Sequence, residues 1–396
     1  MDTSVYVHIP FCRARCSYCD FNTYAGMSFL IPEYISALRK EIQQLGTAAE
    51  EDRGRKLQTG TVYFGGGTPS LLPATQILRM LDVMKEVFEV REGAEISLEV
   101  NPESADRKNL EAMAAGVNRI SLGVQTFDPL ELEVLGRIHT VEDTMAAVRA
   151  IRQAGYRNLS FDLIYGIPGQ SIQSWKETLQ KAVELEPEHL SLYSLTVEEG
   201  TALEQEIESG ALCRPDPDGM ADMYEQAESL LKEAGYEQYE ISNWALPGEG
   251  GTFPQYASRH NLQYWLNREY LGVGAGASGF AAGFRTVNIA HPTAYIRSFQ
   301  EPYNDVYPFS GATAERERIN RQREIEDTMM MGLRLTAAGV NIQDFIKRFD
   351  YPPQVIYREE ISLLVSQGLL EGTSSSIRLT EGGRLLGNQV FRDFIS

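Results

Sequence analysis

Up to about residue 245, short apolar runs alternate with segments whose apolar positions recur every three or four residues. The runs at 4–9, 61–64, 95–100, 119–124, 159–165 and 190–197 read as strands. Between them, Ile77, Leu78, Leu81, Met84 and Phe88 mark one helix face, and Met220, Tyr224, Ala227 and Leu231 mark another. Six or seven strand-then-helix repeats predict an α/β chain, with parallel strands and helices outside them. A doubly wound sheet and a full or partial TIM-type β/α barrel both meet that pattern. In a barrel, the chemistry collects at the C-terminal ends of the strands.

Beyond Ala245 the pattern changes. Residues 247–258 are loop-like, and a Gly/Ala-rich stretch covers 272–283. Helices are expected near 323–336, 341–349 and 354–367, then a two-stranded wing and a last helix. This tail has a winged-helix pattern, but from 318 to 396 it carries ten Lys/Arg and ten Asp/Glu. Without a basic surface it reads as a structural or capping unit and not as a DNA reader.

The formal net charge of −19 and the lack of any gathering of Lys and Arg argue against nucleic acid as a partner. No run of eighteen apolar residues predicts a membrane span. Neither is there a basic stretch followed by an apolar core to suggest a secretory signal, so a cytoplasmic protein is expected. Thiols stay reduced in that compartment, and clustered cysteines there read as metal-binding or catalytic.

Such a cluster exists. Cys12, Cys16 and Cys19 are three of the four cysteines, spaced Cys-x3-Cys-x2-Cys, and Cys213 stands far off as an ordinary small thiol. A structural zinc needs four ligands, for which only His8 or Cys213 could complete the set. A cubane 4Fe–4S cluster can be held by three thiolates if one iron stays open to an exchangeable ligand. Spacing alone leaves both metals open.

Other polar groups fall at successive strand ends. Gly65, Gly66 and Gly67 follow the second strand and admit either a close backbone approach or a tight turn. Glu99 ends the third strand, where it is placed to meet hydroxyl or ammonium groups or to cap a helix. Gln125 ends the fourth, with Arg137 just beyond, and arginine suits a carboxylate. Asp162 lies inside an otherwise apolar strand, where a charge seldom goes unpaired.

The cysteine spacing, placed just after the first predicted strand, resembles the cluster loop of the radical SAM superfamily. The resemblance implies a 4Fe–4S cluster on Cys12, Cys16 and Cys19, with S-adenosylmethionine (SAM) on the open iron as the source of a 5′-deoxyadenosyl radical. The stretches YVHIPFC, CSYCDF, YFGGGTPS, ISLGVQTFD and DLIYGIPGQ, with the winged tail, are similar to a narrower group. That group is the porphyrin-related family of oxygen-independent coproporphyrinogen oxidases (HemN) and their sibling haem chaperones (HemW). Over essentially the whole chain it implies a partial or full TIM-type barrel with a winged-helix-like C-terminal domain. The segments would be a cofactor core over 1–245, an extension over 246–317 and the C-terminal domain over 318–396. SAM-contacting positions would be Tyr6, Tyr18, Gly66, Gly67, Thr68, Glu99, Gln125, Arg137, Asp162 and Thr196.

Two features separate the siblings. The oxidase carries a further cysteine where this chain has Phe21, and a longer segment ahead of its cluster. The stretch RHNLQYWLNREY matches the His-Asn-x-x-Tyr-Trp motif that marks HemW, at His260, Asn261, Tyr264 and Trp265. On a helix His260 and Tyr264 share a face, and imidazole is a common axial ligand of haem iron. A purely structural aromatic packing remains the other reading. The resemblance thus implies haem as ligand and recipient haemoproteins, those of the respiratory chain among them, as partners. The oxidase reaction, or another radical SAM activity such as methylation, is the alternative. A Gly-x-Gly-x-x-Gly run at 274–279 lies too late in the chain for a dinucleotide fold and is expected to serve close backbone packing.

Overall fold

A computed structural model describes residues 2–300 and 306–395. It divides into two compact units, Met1–Ala227 with Glu269–Arg318, and Glu228–Arg268 with Ile319–Ser396.

The first unit holds the strand–helix repeats. Its strands are β1 (Thr3–Ile9), β2 (Gln58–Gly66), β3 (Glu89–Val100), β4 (Arg119–Gln125), β5 (Leu159–Tyr165) and β6 (His189–Ser194). They pair in parallel and in sequence order. A seventh strand, β7 (Tyr270–Val273), returns parallel to the free side of β1. The antiparallel strands β8 (Ser278–Ala281), β9 (Phe284–Asn288) and β10 (Thr313–Arg318) extend that edge. Within this unit no pairing among the described residues closes β6 back onto β1, so the β/α run is an open, partial barrel.

The intervening helices start where the sequence offers side-chain caps. Asp106, Ser171 and Thr201 each accept a backbone N–H three residues on, and Thr140 with Asp143 forms a reciprocal capping box. The helix Ala74–Val87 buries Ile77, Leu81 and Met84 as its spacing predicts, with Met80 added to the same core.

The Gly-rich run after β7 is a close-packing device. A Cβ on Gly274 would stand 2.5 Å from the His8 carbonyl oxygen, and one on Gly276 would stand 2.4 Å from Asn22 Nδ2. Behind it the fully buried Glu41 accepts from Gly274 N–H, Asn288 Nδ2, Tyr295 O–H and Ser310 O–H at 2.6–2.8 Å. One carboxylate therefore ties the helix Ile31–Arg53 to β9, the helix Pro292–Ser298 and the turn before β10. Glu41→Ala would leave four buried donors without their acceptor. It is expected to cost about 3 kcal/mol or more, read as a lower denaturant midpoint, with Glu41→Gln costing less.

The second unit contains the short hairpin Glu237–Glu240 and Asn243–Ala245, the helix Arg259–Trp265 and the winged tail. In the tail the helices Arg321–Gly332, Ile342–Phe349 and Arg358–Ser366 enclose a core that includes Met329, Phe345, Leu364 and Phe391. The helix expected over 354–367 is broken at Tyr357, leaving a first turn at Pro353–Ile356. The wing strands Leu370–Gly372 and Ser376–Leu379 gain a third partner, Val340–Asn341, too short to show a period in the sequence.

Candidate functional site: a cysteine loop at the strand ends

The cysteines follow β1 directly. Phe11–Cys12 pairs in parallel with Tyr24–Ala25, so the loop carrying Cys16 and Cys19 is closed at its base. None of the three is in a disulfide, and each is half-buried; Cys213 is exposed. Every sulfur of the trio meets one side-chain partner. Thr68 Oγ1 donates to Cys12 Sγ at 3.7 Å, Arg137 Nη1 donates to Cys16 Sγ at 3.3 Å, and Thr23 Oγ1 lies 3.6 Å from Cys19 Sγ. Burial pushes the Cys12 thiol up to about 11, with the Thr68 hydrogen bond working against it.

Gly67, just past β2, packs against the base of this loop, its N–H bonded to the Ile9 carbonyl. A Cβ there would come within 2.9 Å of Cys12 Sγ. A bare backbone thus borders the sulfur, and the half-exposed, unbridged thiols suit a soft iron–sulfur group. Among the described residues no three His, Cys, Asp or Glu side chains are close enough to share one metal ion. A cluster with one iron per thiolate does not require them to be. His8 is not available as a fourth ligand: Tyr6 O–H meets its Nδ1 at 3.0 Å and the Asn22 carbonyl meets its Nε2 at 2.9 Å.

Beside the loop, residues of β1 to β5 assemble a polar cluster. Glu99 accepts from Tyr63 O–H and from Gly66 N–H, both at 3.0 Å, and Tyr63 stacks on Tyr6 with ring centroids 6.2 Å apart. Burial first, then the neighbouring Asp162, pushes the Glu99 carboxyl up to about 7. Asp162 accepts from Ser121 O–H at 3.0 Å, and burial raises its carboxyl too. Gln125 ends β4 at φ +67°, strained backbone for a residue with a side chain. Arg137 is fixed by Cys16 Sγ, Asn101 Oδ1 and Gly123 O, and Tyr18 lies against its guanidinium.

The structure therefore brings together Tyr6, Gly66 and Glu99 on one side, and Tyr18, Thr68 and Arg137 on the other. Thr196 lies exposed, two residues past β6. Sequence reasoning missed Asn101, Tyr63 and Ser121, which act through partners distant in the chain. Only the strand-end position of Asn101 and the alternation of Ser121 in β4 hinted at them.

In the second unit, Ser258 caps the helix Arg259–Trp265. His260 and Tyr264 share a face as expected: Nε2 and O–H lie 2.8 Å apart, and the rings meet edge-on at 5.2 Å. His260 is 1% exposed. Trp265 packs with Tyr239 and Leu335, under the Arg334 guanidinium at 4.7 Å from its ring centre, while Asn261 is half-exposed.

An open parallel β/α run with a Cys-x3-Cys-x2-Cys loop at its strand ends is the architecture of a radical SAM protein. Comparison agrees: residues 6–182 match the Radical SAM superfamily and residues 319–386 match the HemN C-terminal domain. The chain belongs to the HemW branch of the HemN/HemW family. It is 36% identical to heme chaperone HemW of Bacillus subtilis over 99% of both chains, and 33% identical to that of Escherichia coli K12 over 99% of this chain and 98% of the other. Among solved structures, the coproporphyrinogen III oxidase HemN of Escherichia coli, a radical SAM enzyme, superposes with a TM-score of 0.81 at 25% identity. That match covers 99% of this chain and 90% of that one. The family implies a 4Fe–4S cluster and SAM. No helix among the described residues is long and apolar enough to cross a membrane.

Proposed function

We propose that this chain is a haem chaperone: it binds haem, carries a SAM-coordinated 4Fe–4S cluster, and hands haem to recipient haemoproteins in the cytoplasm. The observation that carries the reading is full-length similarity to proteins named heme chaperone HemW, joined to the intact His-Asn-x-x-Tyr-Trp helix. Cys12, Cys16 and Cys19 would hold the cluster, which would supply one-electron reducing chemistry toward SAM. The protein's share is to border the Cys12 sulfur with Gly67, to place Glu99 and Asp162 toward hydroxyl or ammonium groups, and to keep Arg137 charged beside Cys16. Phe21, 63% exposed, stands where the oxidase has its additional cysteine, and it weighs against porphyrinogen decarboxylation.

His260 would ligate haem iron, with Asn261, Tyr264 and Trp265 around the macrocycle. Its Nε2 is already engaged by Tyr264, so ligation through that atom requires the ring pair to open. An anaerobic haem titration of cluster-reconstituted protein, followed at the Soret band, tests the reading. Saturable, near-stoichiometric binding is expected. Absence of specific binding, with turnover of coproporphyrinogen III in its place, would replace the chaperone with the oxidase.

The Glu99 carboxyl gives a pH test of the SAM site. Its raised value means that it is protonated below about 7 and ionised above. If the ionised form receives SAM, affinity rises as pH climbs to about 7 and then levels, Asp162, Tyr63 and Arg119 being the groups facing it. Calorimetric SAM titrations across the neutral range should show this profile in the wild type. In Glu99→Gln they should show weaker binding without that inflection.

A further inference from the structure

The two sulfur donors that come from outside the cysteine loop are held by one amide. Asn101 follows the end of β3, where the turn Pro102–Ser104 begins. Its Nδ2 donates to Thr68 Oγ1 at 3.0 Å, and its Oδ1 accepts from Arg137 Nη2 at 2.7 Å. Because Thr68 Oγ1 is occupied as an acceptor, its hydrogen is left for Cys12 Sγ, 3.7 Å away. Because Arg137 Nη2 is held by Asn101 and by the Gly123 carbonyl, Nη1 is turned to Cys16 Sγ at 3.3 Å. His139 Nδ1, 3.4 Å from Arg137 Nε, fixes the third corner of the guanidinium. Space for the amide is reserved as well: a Cβ on Gly123 would stand 2.9 Å from Asn101 Oδ1. The third sulfur, on Cys19, has its partner Thr23 inside its own loop and is independent of Asn101.

We propose that Asn101 is a positioning residue that sets the reduction potential of the cluster by holding Thr68 and Arg137 against two of its three cysteine sulfurs. The inference rests on the cluster being carried by Cys12, Cys16 and Cys19. One-electron reduction adds negative charge to a cluster and its thiolates. Hydrogen bonds to the sulfurs and a fixed cation beside them stabilise the reduced form more than the oxidised one and raise the potential. A guanidinium keeps its proton, so the charge is permanent. The asymmetry of the amide matters: its N–H end must face the hydroxyl and its oxygen the guanidinium, a division that neither a carboxylate nor an apolar side chain reproduces.

The test is a dithionite redox titration of the reconstituted cluster, followed by electron paramagnetic resonance, with iron content measured alongside. Asn101→Leu is expected to keep its iron and to lower the reduction equilibrium about tenfold, ~59 mV for one electron. Arg137→Met should lower it by more, and adding Asn101→Leu to Arg137→Met should lower it further by less than Asn101→Leu does alone. Thr23→Val should shift it independently, so that its effect adds to that of Asn101→Leu. Should Asn101→Leu fail to assemble the cluster, Asn101→Asp and Thr68→Val carry the test, each expected to lower the potential. An unchanged potential in the iron-loaded Asn101 variants, beside a lowered one in Arg137→Met, would overturn the proposal. Wild-type protein that takes up no cluster at all would overturn the cluster assignment itself, and iron content tells the two failures apart.

Discussion

Cys16→Ala is expected to leave the reconstituted protein with below about a tenth of the wild-type iron and without the broad sulfur-to-iron absorption, because a cubane with only two protein thiolates is poorly held. Cys12→Ala and Cys19→Ala should do the same. Cys213→Ser should retain the full complement, since that exposed thiol lies outside the loop. The contrast matters because the loop offers no ready mononuclear site: no three candidate ligands among the described residues converge on a single ion. The loop is nonetheless fixed at its base by the Phe11–Cys12 and Tyr24–Ala25 pairing, so removing one thiol should not unfold it. Far-ultraviolet circular dichroism of the variants should match the wild type. A Cys16→Ala protein that still bound zinc or a full cluster would break the assignment.

His260→Ala is expected to weaken haem binding by at least about tenfold, ~1.4 kcal/mol, and to shift the Soret band, as loss of an axial imidazole does. The hydrogen bond between His260 Nε2 and Tyr264 O–H adds a second arm with the opposite sign. A haem that binds through Nε2 must break that bond, which is worth about 0.5–1.5 kcal/mol net. Tyr264→Phe removes the competitor and should tighten binding roughly two- to tenfold. If instead both variants weaken binding alike, the pair acts as packing around the macrocycle and the iron ligand lies elsewhere.

Much of this was legible in the sequence because the information is local. The six strands of the β/α run were marked by their apolar runs, and the observed bounds differ from the expected ones mainly at the ends of β2, β3 and β6. The i,i+4 relation of His260 and Tyr264 follows from helix period alone. What escaped was long-range. The contact of Arg137 with Cys16 spans 121 residues, and the bond of Glu41 with Ser310 spans 269. No periodicity marks such pairs. Asn101 looked like an ordinary residue before a proline, and its use of both ends of the amide depends on β2, β3 and the segment after β4 meeting at one edge. The open barrel was likewise undecidable from the strand runs, because closure depends on which strand pairs with β1, and that partner, β7, comes after a long excursion through the second unit.

A chaperone must deliver haem as well as bind it, and a transfer experiment separates the two. Haem-loaded, cluster-reconstituted protein would be mixed with an apo-haemoprotein in the presence of excess free-haem scavenger, the two proteins separated, and the recipient's Soret absorbance read. The recipient is expected to gain haem faster than haem dissociates from the donor, without interception by the scavenger. Transfer no faster than spontaneous dissociation, and abolished by the scavenger, would contradict a chaperone and leave a protein that merely binds haem.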